Sequence, residues 1–458
     1  MVSGARCMTR CRPRRRIIHE DTDGDGRLDS HKTFVDGLNI ATSALRGRGG
    51  VWVLNPPYLL FYPDRNDDDV PDGDPEVHLA GFGLEDTHSV VNSLRWGPDG
   101  WIYAAQGSTV TGHITRPGLD DGKEPVHTMG QLIWRYHPET RRYEVFAEGG
   151  GNAFGVEIDA KGRIFSGHNG GDTRGFHYVQ GGYFQKGFDK HGPLSNPYAF
   201  GYFPAMKHPN VPRFTHTFTI YEADAFPDRY RGILFGVAPL LNHVVMSAVE
   251  RDGSTIRTRD IGYAITSTDP SFRPADITLG PDGSLYIADW YDRQVNHYRN
   301  HEGQIDPATG RIYRLSAKQA PPARPVNLQA LSTPELVDRL SSPNRFIRQT
   351  ALRLIGDRRD RSIEPTLHRL INEGSPQTAL EALWALHQIG SLDDPTALKT
   401  LGHADPFVRL WTVRLVCDDG KVSTIIADRL ARMSVSENDV LVRSQLACSA
   451  KRLPPRDA

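Results

Sequence analysis

Short strands joined by tight turns constrain this fold more than any other feature of the sequence. One unit, an apolar strand, a turn that contains Asp and Gly, and a second apolar or aromatic strand, occurs at 94–103, 156–165 and 277–286. Its turn glycines, Gly100, Gly162 and Gly283, are 62 and 121 residues apart. Glycine supplies the positive φ that tight hairpin turns need. Hairpins at blade-like spacing predict a β-propeller over residues 17–316, with a β-sandwich as the alternative.

An acidic loop occurs twice, 43 residues apart, and indicates a metal as well as repeated blades. Each copy follows an apolar strand and has oxygen ligands at its positions 1, 3, 5 and 9, as Ca²⁺ requires. The ligands are Asp21, Asp23, Asp25 and Asp29 in the first copy and Asp64, Asn66, Asp68 and Asp72 in the second. At the sharp turn the first copy has Gly26 and the second Asp69, so the first is the better calcium site. The alternative is a solvated acidic turn, and an ion here is expected to be structural rather than catalytic.

Length and composition allow two or three domains and exclude several classes of function. The 458 residues include 54 Lys and Arg and 55 Asp and Glu, so the chain lacks the excess of positive charge that is typical of nucleic-acid-binding proteins. No stretch approaches the roughly 20 apolar residues of a membrane span. The four cysteines, at positions 7, 11, 417 and 448, form no CxxC or CxxCH motif. Neither a zinc ribbon nor covalent haem c is therefore expected, and the thiols are predicted to be buried or idle.

The period of the apolar residues changes from 2 to 3.6 in the last third of the chain. Residues 1–16 are basic and predict a disordered tail without a secretory signal, and residues 317–330 are rich in Pro and Ala, as in a linker. Predicted helix starts recur every 30 to 33 residues, at Ser342-Pro343, Ser375-Pro376, Asp405-Pro406 and, more weakly, Glu437-Asn438. Paired helices at this period predict an α-solenoid over residues 331–458.

The segment from Ile17 to Leu315 resembles the membrane-bound dehydrogenase-like proteins of planctomycetes. The stretches that carry the resemblance are EDTDGDGRLD, GFGLEDTHSVVNSLRWGPDGWIYAAQG, FRPADITLGPDGSLYIADWYD and GRIYRL. These proteins are similar to the propeller dehydrogenases of sugars and sorbosone that use pyrroloquinoline quinone (PQQ). The resemblance implies five to six blades followed by HEAT-like repeats, and a periplasmic or other extracytoplasmic location.

The chain departs from that family at both ends. Family members have a signal peptide and a further blade before the EDTDGDG loop, whereas only 16 residues precede Ile17 here. Many members also end in a haem c domain with CxxCH, which this sequence lacks. The chain thus resembles an N-terminally shortened member, and its propeller is expected to be incomplete.

The resemblance implies a catalytic histidine. Oxidation of an alcohol needs a base for the hydroxyl proton and an acceptor for the hydride. In the quinoprotein propellers, a histidine shortly before a GPDG hairpin takes the proton. Here that residue is His88, nine residues before Gly97, with Asp86 to orient its ring. The alternative is a hydrogen-bonded loop histidine without a catalytic role.

Further residues match positions near the cofactor of those relatives. Gln106 matches a residue that approaches the quinone, and Asn152 matches the asparagine of an Arg-Asn-Pro-x-Gly motif whose arginine is Gly151 here. The loop with Asn169, Asp172 and Arg174 matches calcium- and quinone-contacting positions, and Arg174 could replace the missing cation. The alternative for this loop is a glycine-rich turn without a ligand.

These features predict a quinoprotein-type dehydrogenase that oxidises a hydroxyl of a sugar or polyol. A calcium ion would polarise the quinone carbonyl, and electrons would leave to a separate acceptor such as a cytochrome, while the repeats dock a protein partner. The alternative is a non-catalytic scaffold that binds a carbohydrate or a protein. Convergence of His88, Gln106, Asn152 and Arg174 on one channel mouth would favour the enzyme, whereas scatter of these residues would count against it.

Overall fold

The computed structural model describes residues 16–23, 28–187, 192–211, 215–295, 309–318 and 326–457. Within these residues, 24 β-strands up to Leu315 precede eight α-helices, the first of which begins at Thr333. In the part of the chain that is described, no helix has both the length and the apolar character needed to cross a membrane.

The strands form a hairpin and five larger sheets in chain order. The hairpin pairs β1 (Arg16–Glu20) with β2 (Ser30–Val35). Sheet I contains β3 (Ser43–Arg46), β4 (Gly50–Asn55), β5 (Tyr58–Pro63) and β6 (Glu76–Phe82), extended by β9 (Gly112–Thr115) and β10 (Val126–Thr128). Sheet II contains β7 (Asn92–Trp96), β8 (Ile102–Gln106), β11 (Leu132–His137) and β12 (Arg142–Glu148), extended by β16 (Gly182–Tyr183) and β17 (Gly201–Tyr202). Sheet III contains β13 (Ala153–Ile158), β14 (Ile164–His168) and β15 (Phe176–Tyr178). Sheet IV contains β18 (Phe218–Ile220), β19 (Leu234–Ala238), β20 (His243–Asp252) and β21 (Thr255–Thr266), and sheet V contains β22 (Pro274–Leu279), β23 (Leu285–Asp289) and β24 (Arg311–Leu315).

Sheets I to V are arranged like the blades of a propeller. Each sheet is built on an antiparallel meander, and the first strands β3, β7, β13, β18 and β22 contact one another in that order. The faces of successive sheets pack together, so the apolar core lies between the sheets. Trp52 and Trp134 fill the core between sheets I and II, and Tyr103 and Phe176 fill the next one.

The row of sheets curves back on itself. Arg95 on β7 and Asp276 on β22 belong to sheets II and V, yet their side chains lie 3.9 Å apart. The β1–β2 hairpin packs Ile18 and Phe34 against sheet I. Asp21, where β1 ends, acts electrostatically on residues of sheet V. The hairpin therefore stands between the last sheet and the first.

The sheets have two distinct ends. The turns between the first and second strand of each sheet lie at one end, here called the hairpin end: 47–49, 97–101, 159–163, 221–233 and 280–284. The β6–β7, β12–β13 and β21–β22 connections between successive sheets lie at the opposite end, here called the loop end. Antiparallel meanders place these two sets of connections on opposite sides because the strand direction alternates.

The eight helices form four antiparallel pairs. They are α1 (Thr333–Arg339), α2 (Arg345–Arg358), α3 (Glu364–Glu373), α4 (Pro376–Gln388), α5 (Asp394–Thr400), α6 (Pro406–Cys417), α7 (Thr424–Ser436) and α8 (Val440–Ala450). The even-numbered helices stack on one another in order. Trp384 and Trp411 are buried in the shared core. This is an α-solenoid.

The even-numbered helices dock on the hairpin end of the sheets. Gln388 on α4 donates to the Pro98 carbonyl at 2.9 Å, and Trp411 on α6 donates to the Lys161 carbonyl at 2.8 Å. Helix α2 and its cap reach further. They contact turns or strand ends of sheets I, III, IV and V, from Arg48 of sheet I to Gly280 of sheet V. The turns that define the sheet domain in the sequence are thus also its contact surface for the solenoid.

The structure confirms most of the local predictions and corrects two helix starts. All three predicted hairpins are present, and Ser375 and Asp405 cap α4 and α6. Helices α2 and α8 begin two residues later than predicted, because the side chains of Asn344 and Asp439 accept from the first free amides instead.

The cysteine prediction is confirmed for Cys417 and Cys448, which are buried free thiols. Burial raises the pKa of both thiols to about 12, so neither is reactive at neutral pH. Cys7 and Cys11 lie outside the described residues, as do residues 1–15 of the predicted tail and 319–325 of the predicted linker.

Candidate functional site

His88 lies at the loop end, on the connection between β6 and β7. Its side chain is 56% exposed, and its Nδ1 is 3.4 Å from Oδ1 of Asp86. The His88 backbone N–H also donates to Asp86 at 2.9 Å. This short loop turns around the Asp86 carboxylate, which holds the histidine ring at the surface with Nδ1 facing the carboxylate.

Asp86 is fixed by hydrogen bonds in addition to its contact with the His88 ring. Thr109 and Ser89 donate their hydroxyls to it at 2.5 and 3.1 Å. Burial raises the pKa of Asp86, but the hydrogen bonds from Thr109, the His88 backbone and Ser89 outweigh it, so the pKa lies below its ordinary value. Asp86 is therefore a fixed anion that can orient an imidazole and stabilise its protonated form.

Asn152 ties the His88 loop to sheet III. Its Nδ2 donates to the His88 carbonyl at 3.1 Å, and its Oδ1 accepts the Ser108 backbone N–H at 2.8 Å. A Cβ on Gly107 would come within 2.2 Å of Asn152 Oδ1, so glycine is required for this close approach. The structure thus brings His88 and Asn152 together. The side-chain amide of Asn152 already makes hydrogen bonds to the His88 carbonyl and to the Ser108 backbone N–H.

Gln106 is the last residue of β8 and also lies at the loop end, but its side chain is buried. It is fully buried on β8, where its Oε1 accepts the Thr128 hydroxyl at 3.1 Å and its Nε2 donates to the Val110 carbonyl at 3.4 Å. Its amide joins β8 to the β9–β10 extension of sheet I. Gln106 is accordingly a structural residue in this arrangement and does not line an open site.

The predicted loop 168–174 begins at a buried histidine. His168 packs edge-on against Phe176, and its Nε2 is buried without a hydrogen-bond partner among the described residues. Burial lowers the pKa of His168 to about 4, so the ring is neutral at neutral pH. Asn169 is half-buried, whereas Asp172 is exposed in the left-handed region with φ of 65°.

Arg174 is not available as a free cation. Its side chain is 2% exposed, and its guanidinium pairs with Asp260, with Nε 3.0 Å from Oδ1. Nη1 also donates to the Thr215 hydroxyl at 3.0 Å. Sequence reasoning missed Asp260 because it lies 86 residues away, on β21 of the next sheet. No local signal in the sequence pairs the two residues.

The predicted site residues therefore share one end of the molecule but do not converge as side chains. The loops of His88, Asn152 and His168 adjoin, and Gly151 approaches the His168 ring. Of the residues predicted to act on a ligand there, His88 presents an exposed ring with a fixed carboxylate behind it. Gln106 and Arg174 are buried in structural bonds.

The first acidic loop gathers three of its four predicted ligands. Among the described residues, Asp21, Asp23 and Asp29 form one group of carboxylates whose oxygens all lie within 4.8 Å of one another. Asp29 also accepts the Thr22 backbone N–H at 3.1 Å and its hydroxyl at 2.8 Å, which closes the loop. Asp25 lies outside the described residues. Oxygen ligands at this spacing suit a hard cation such as Ca²⁺.

The second acidic loop is closed by an arginine. Arg46 lies 3.0 Å from Asp69 and 3.8 Å from Asp64, and it also contacts Asp67. The remaining predicted ligands, Asn66, Asp68 and Asp72, bond within the loop, for example Asn66 to Asp68 at 3.0 Å and the Arg65 backbone to Asp72 at 3.0 Å. A guanidinium thus supplies the positive charge that a metal ion would bring, and Asp69 adopts the left-handed conformation with φ of 63°.

A family model described as DUF7133, a domain of unknown function, matches residues 11–319. A HEAT-repeat model matches residues 333–416, in agreement with the solenoid. Comparison with curated proteins gives no match for this chain.

Several solved structures are similar to the sheet domain at low identity. An oxidoreductase described as a glucose dehydrogenase from Thermus thermophilus is 19% identical, covers 68% of this chain and 97% of its own, and has a TM-score of 0.39. The PQQ-bound aldose sugar dehydrogenase of Streptomyces coelicolor is 13% identical over 69% of this chain and 98% of its own, with a TM-score of 0.38. The apo form of the soluble aldose sugar dehydrogenase of Escherichia coli is 13% identical over 55% and 93%, with a TM-score of 0.31.

Proposed function

This chain belongs to the DUF7133 family, and we propose that it is a dehydrogenase that oxidises a hydroxyl-bearing carbon of a sugar or polyol at its loop end. The observation that carries the proposal is the exposed His88 ring held against the fixed Asp86 carboxylate. The resemblance of the sequence of this segment to quinoprotein sugar dehydrogenases agrees with it.

The chemistry assigned to the chain's own residues is proton transfer. Because Nδ1 of His88 faces Asp86, Nε2 is the nitrogen that would take the hydroxyl proton, and the Asp86 carboxylate would stabilise the resulting imidazolium. The hydride would leave the same carbon for a separate acceptor. Asn152 would keep the His88 loop in place through the His88 carbonyl.

The side chains at the loop end do not fit tight binding of PQQ. PQQ carries three carboxylates, which call for cations. Gly151 stands where the related motif has an arginine, and Arg174 is neutralised by Asp260. Gln106, the predicted quinone contact, is fully buried and bonded to Thr128. The hydride is therefore assigned to a separate acceptor, and tight binding of PQQ is not expected.

Calcium is proposed as a structural ion of the first acidic loop. Asp21 acts electrostatically on Arg314, and Arg314 in turn pairs with Asp282 in a turn of the hairpin end. The loop is therefore on the side opposite His88, where an ion cannot polarise a group bound beside that histidine. A calcium ion at Asp21, Asp23 and Asp29 would instead pin the β1–β2 hairpin between sheets V and I.

The architecture and setting of the enzyme follow from the same proposal. Sheets I to V would be five blades of a propeller, and the β1–β2 hairpin would partly fill a sixth position. The location would be extracytoplasmic, with a cytochrome or similar carrier as the final acceptor. A protein partner would meet the odd-numbered helices, since the even-numbered ones are engaged with the sheets.

A second candidate function is a non-catalytic scaffold that binds a carbohydrate or a protein. The observation that favours it is the engagement of Gln106 and Arg174 in structural bonds. A scaffold would need the loop end as a binding surface but would not need a proton acceptor there.

The test is a calorimetric titration of the full chain with PQQ, with and without millimolar Ca²⁺, followed by dye reduction with a panel of sugars and polyols. If the chain is a dehydrogenase, we expect it to reduce the dye, and we expect His88→Ala to lower the rate of dye reduction about 10²–10⁴-fold. The control His368→Ala, on the solenoid, should retain it. Sugar binding without dye reduction by any supplied acceptor would support the scaffold instead.

A further inference from the structure

Two histidines face each other on the exposed extension of sheet I. His113 on β9 and His127 on β10 are direct partners in the antiparallel register. Their ring centroids are 4.8 Å apart, and both side chains are exposed. In sequence they are 14 residues apart with no metal-binding spacing, so only the strand register reveals the pair.

The two imidazoles are not engaged elsewhere. In the part of the chain that the structure describes, neither ring takes part in a hydrogen bond or an ion pair, and their ring contact is with each other. The other cross-strand histidine pair differs. His19 and His31 on the β1–β2 hairpin have centroids 6.2 Å apart, and both burial and the His31 charge lower the pKa of His19.

The strands under the pair are held in a fixed register. Ile114, next to His113, is buried in the core between sheets I and II. Thr128, next to His127, donates to the buried Gln106 at 3.1 Å. A Cβ on Gly112 would come 2.5 Å from the Thr128 hydroxyl, so the two strands approach closely at this point. The backbone positions of the two histidines are therefore fixed before any ligand arrives, which reduces the entropy cost of binding both.

We propose that His113 and His127 bind one borderline divalent transition metal ion such as Zn²⁺. Neutral imidazole is the ligand that Zn²⁺, Cu²⁺ and Ni²⁺ share, whereas Ca²⁺ and Mg²⁺ prefer oxygen. Two protein ligands leave the remaining coordination positions open to water or to an external ligand. The site is separate from His88 and from the acidic loops, and it does not depend on the proposed function.

The test is a Zn²⁺ titration of the full chain in excess Ca²⁺. The Ca²⁺ occupies the acidic loops, so that Zn²⁺ does not bind there. We expect one Zn²⁺ per chain and a melting temperature raised by about 2–4 °C at saturation, because the metal binds the folded register and not the unfolded chain.

Single variants locate the site. His113→Ala and His127→Ala should each abolish the Zn²⁺-induced shift, whereas the control His31→Ala, from the wider pair, should retain it. Cu²⁺ electron paramagnetic resonance should show coupling to two nitrogen ligands in the wild type and to fewer in either variant. A Zn²⁺ shift unchanged in His113→Ala, or no binding by the folded wild-type protein, would overturn the proposal.

Discussion

Trp411 of the solenoid donates its indole N–H to the carbonyl of Lys161, in a hairpin turn of sheet III, at 2.8 Å. The neighbouring Gly162 has φ of +70°, and a Cβ there would lie 2.4 Å from Cζ2 of Trp411. The turn and the indole are in direct contact, with no room for a side chain between them. Gly162 therefore has two roles: it adopts the conformation that the hairpin turn needs, and it leaves the space in which Trp411 of α6 packs.

Gly162→Ala should destabilise the protein more than its backbone conformation alone explains. The left-handed conformation costs a non-glycine residue about 1–2 kcal/mol, and the clash with Trp411 adds about 1–3 kcal/mol for overpacking. Gly122→Ala is the matched control, because Gly122 has φ of +76° and nothing within 4 Å of its Cβ position. Urea unfolding of both variants measures the loss in free energy of unfolding. Equal losses would show that the Trp411 side chain can move away from the added methyl group without a loss of stability.

Asp418→Asn should be strongly destabilising because it breaks a buried ion pair between the two domains. Arg135 of sheet II is fully buried, lies 2.5 Å from Asp418 and 2.7 Å from Glu144, and stacks on Trp101. Removing one partner of a buried ion pair costs about 3–5 kcal/mol when the remaining charge has no other partner. Glu144 still faces Arg135 in this variant, so we expect a loss near the lower end of this range.

The neighbouring residue provides the control for this ion pair. Asp419 is 72% exposed and pairs with Arg142 at the surface, so Asp419→Asn should change stability by no more than about 1 kcal/mol. Chemical denaturation with a single probe in each domain measures both effects. Similar stabilities of the two variants would mean that solvent reaches Arg135 in solution.

Local chemistry explains why much of the fold was predictable. The turn residues Asp99, Asp159 and Asp282 accept backbone or side-chain N–H groups within their own turns. Ser375 and Asp405 cap helices through amides two or three residues away. Such contacts are made between residues that are close in sequence, so the sequence pattern alone predicts them.

Contacts between distant residues explain what was missed. Arg174 was predicted to face a ligand, but its partner Asp260 lies on another sheet, and the direction of a side chain cannot be read from a loop motif. The docking of the solenoid is of the same kind, since Arg135 and Asp418 are 283 residues apart. The resemblance to dehydrogenases assigned both His88 and Asn152 to a ligand site, but it gave no information on which side chains are already engaged with the protein, as the amide of Asn152 is.

Calcium should stabilise the protein through the first acidic loop and not through the second. We expect Ca²⁺ to raise the melting temperature of the wild type, because an ion relieves the repulsion among Asp21, Asp23 and Asp29. Asp23→Asn should abolish most of this rise. Asp68→Asn, in the loop that Arg46 closes, should leave it intact. Thermal scans at several Ca²⁺ concentrations make the comparison, and a rise lost in Asp68→Asn would assign the ion to the second loop.

Glu222 should make the contact between the domains weaker as the pH rises. Its carboxylate accepts the Ala160 backbone N–H at 2.8 Å and lies 3.3 Å from Nε of Arg345 at the start of α2. Burial raises the pKa of Glu222 from about 4.5 to about 7, because Arg345 only partly offsets the burial and the charges of Asp159 and Glu157 oppose ionisation. A group whose pKa is higher in the folded state stabilises fully below its unfolded value and loses that contribution as the pH rises through the folded value.

Glu222→Gln removes this titration, so its stability relative to wild type should increase between pH 5 and pH 8, by at most about 3 kcal/mol. The control Glu250→Gln replaces an exposed carboxylate on β20 that pairs with Arg257, and it should show no such trend. Melting temperatures of the three proteins across this pH range provide the measurement. A constant difference between Glu222→Gln and wild type would mean that Arg345 keeps Glu222 ionised throughout, and the contact between α2 and sheet IV would then be an ordinary buried ion pair.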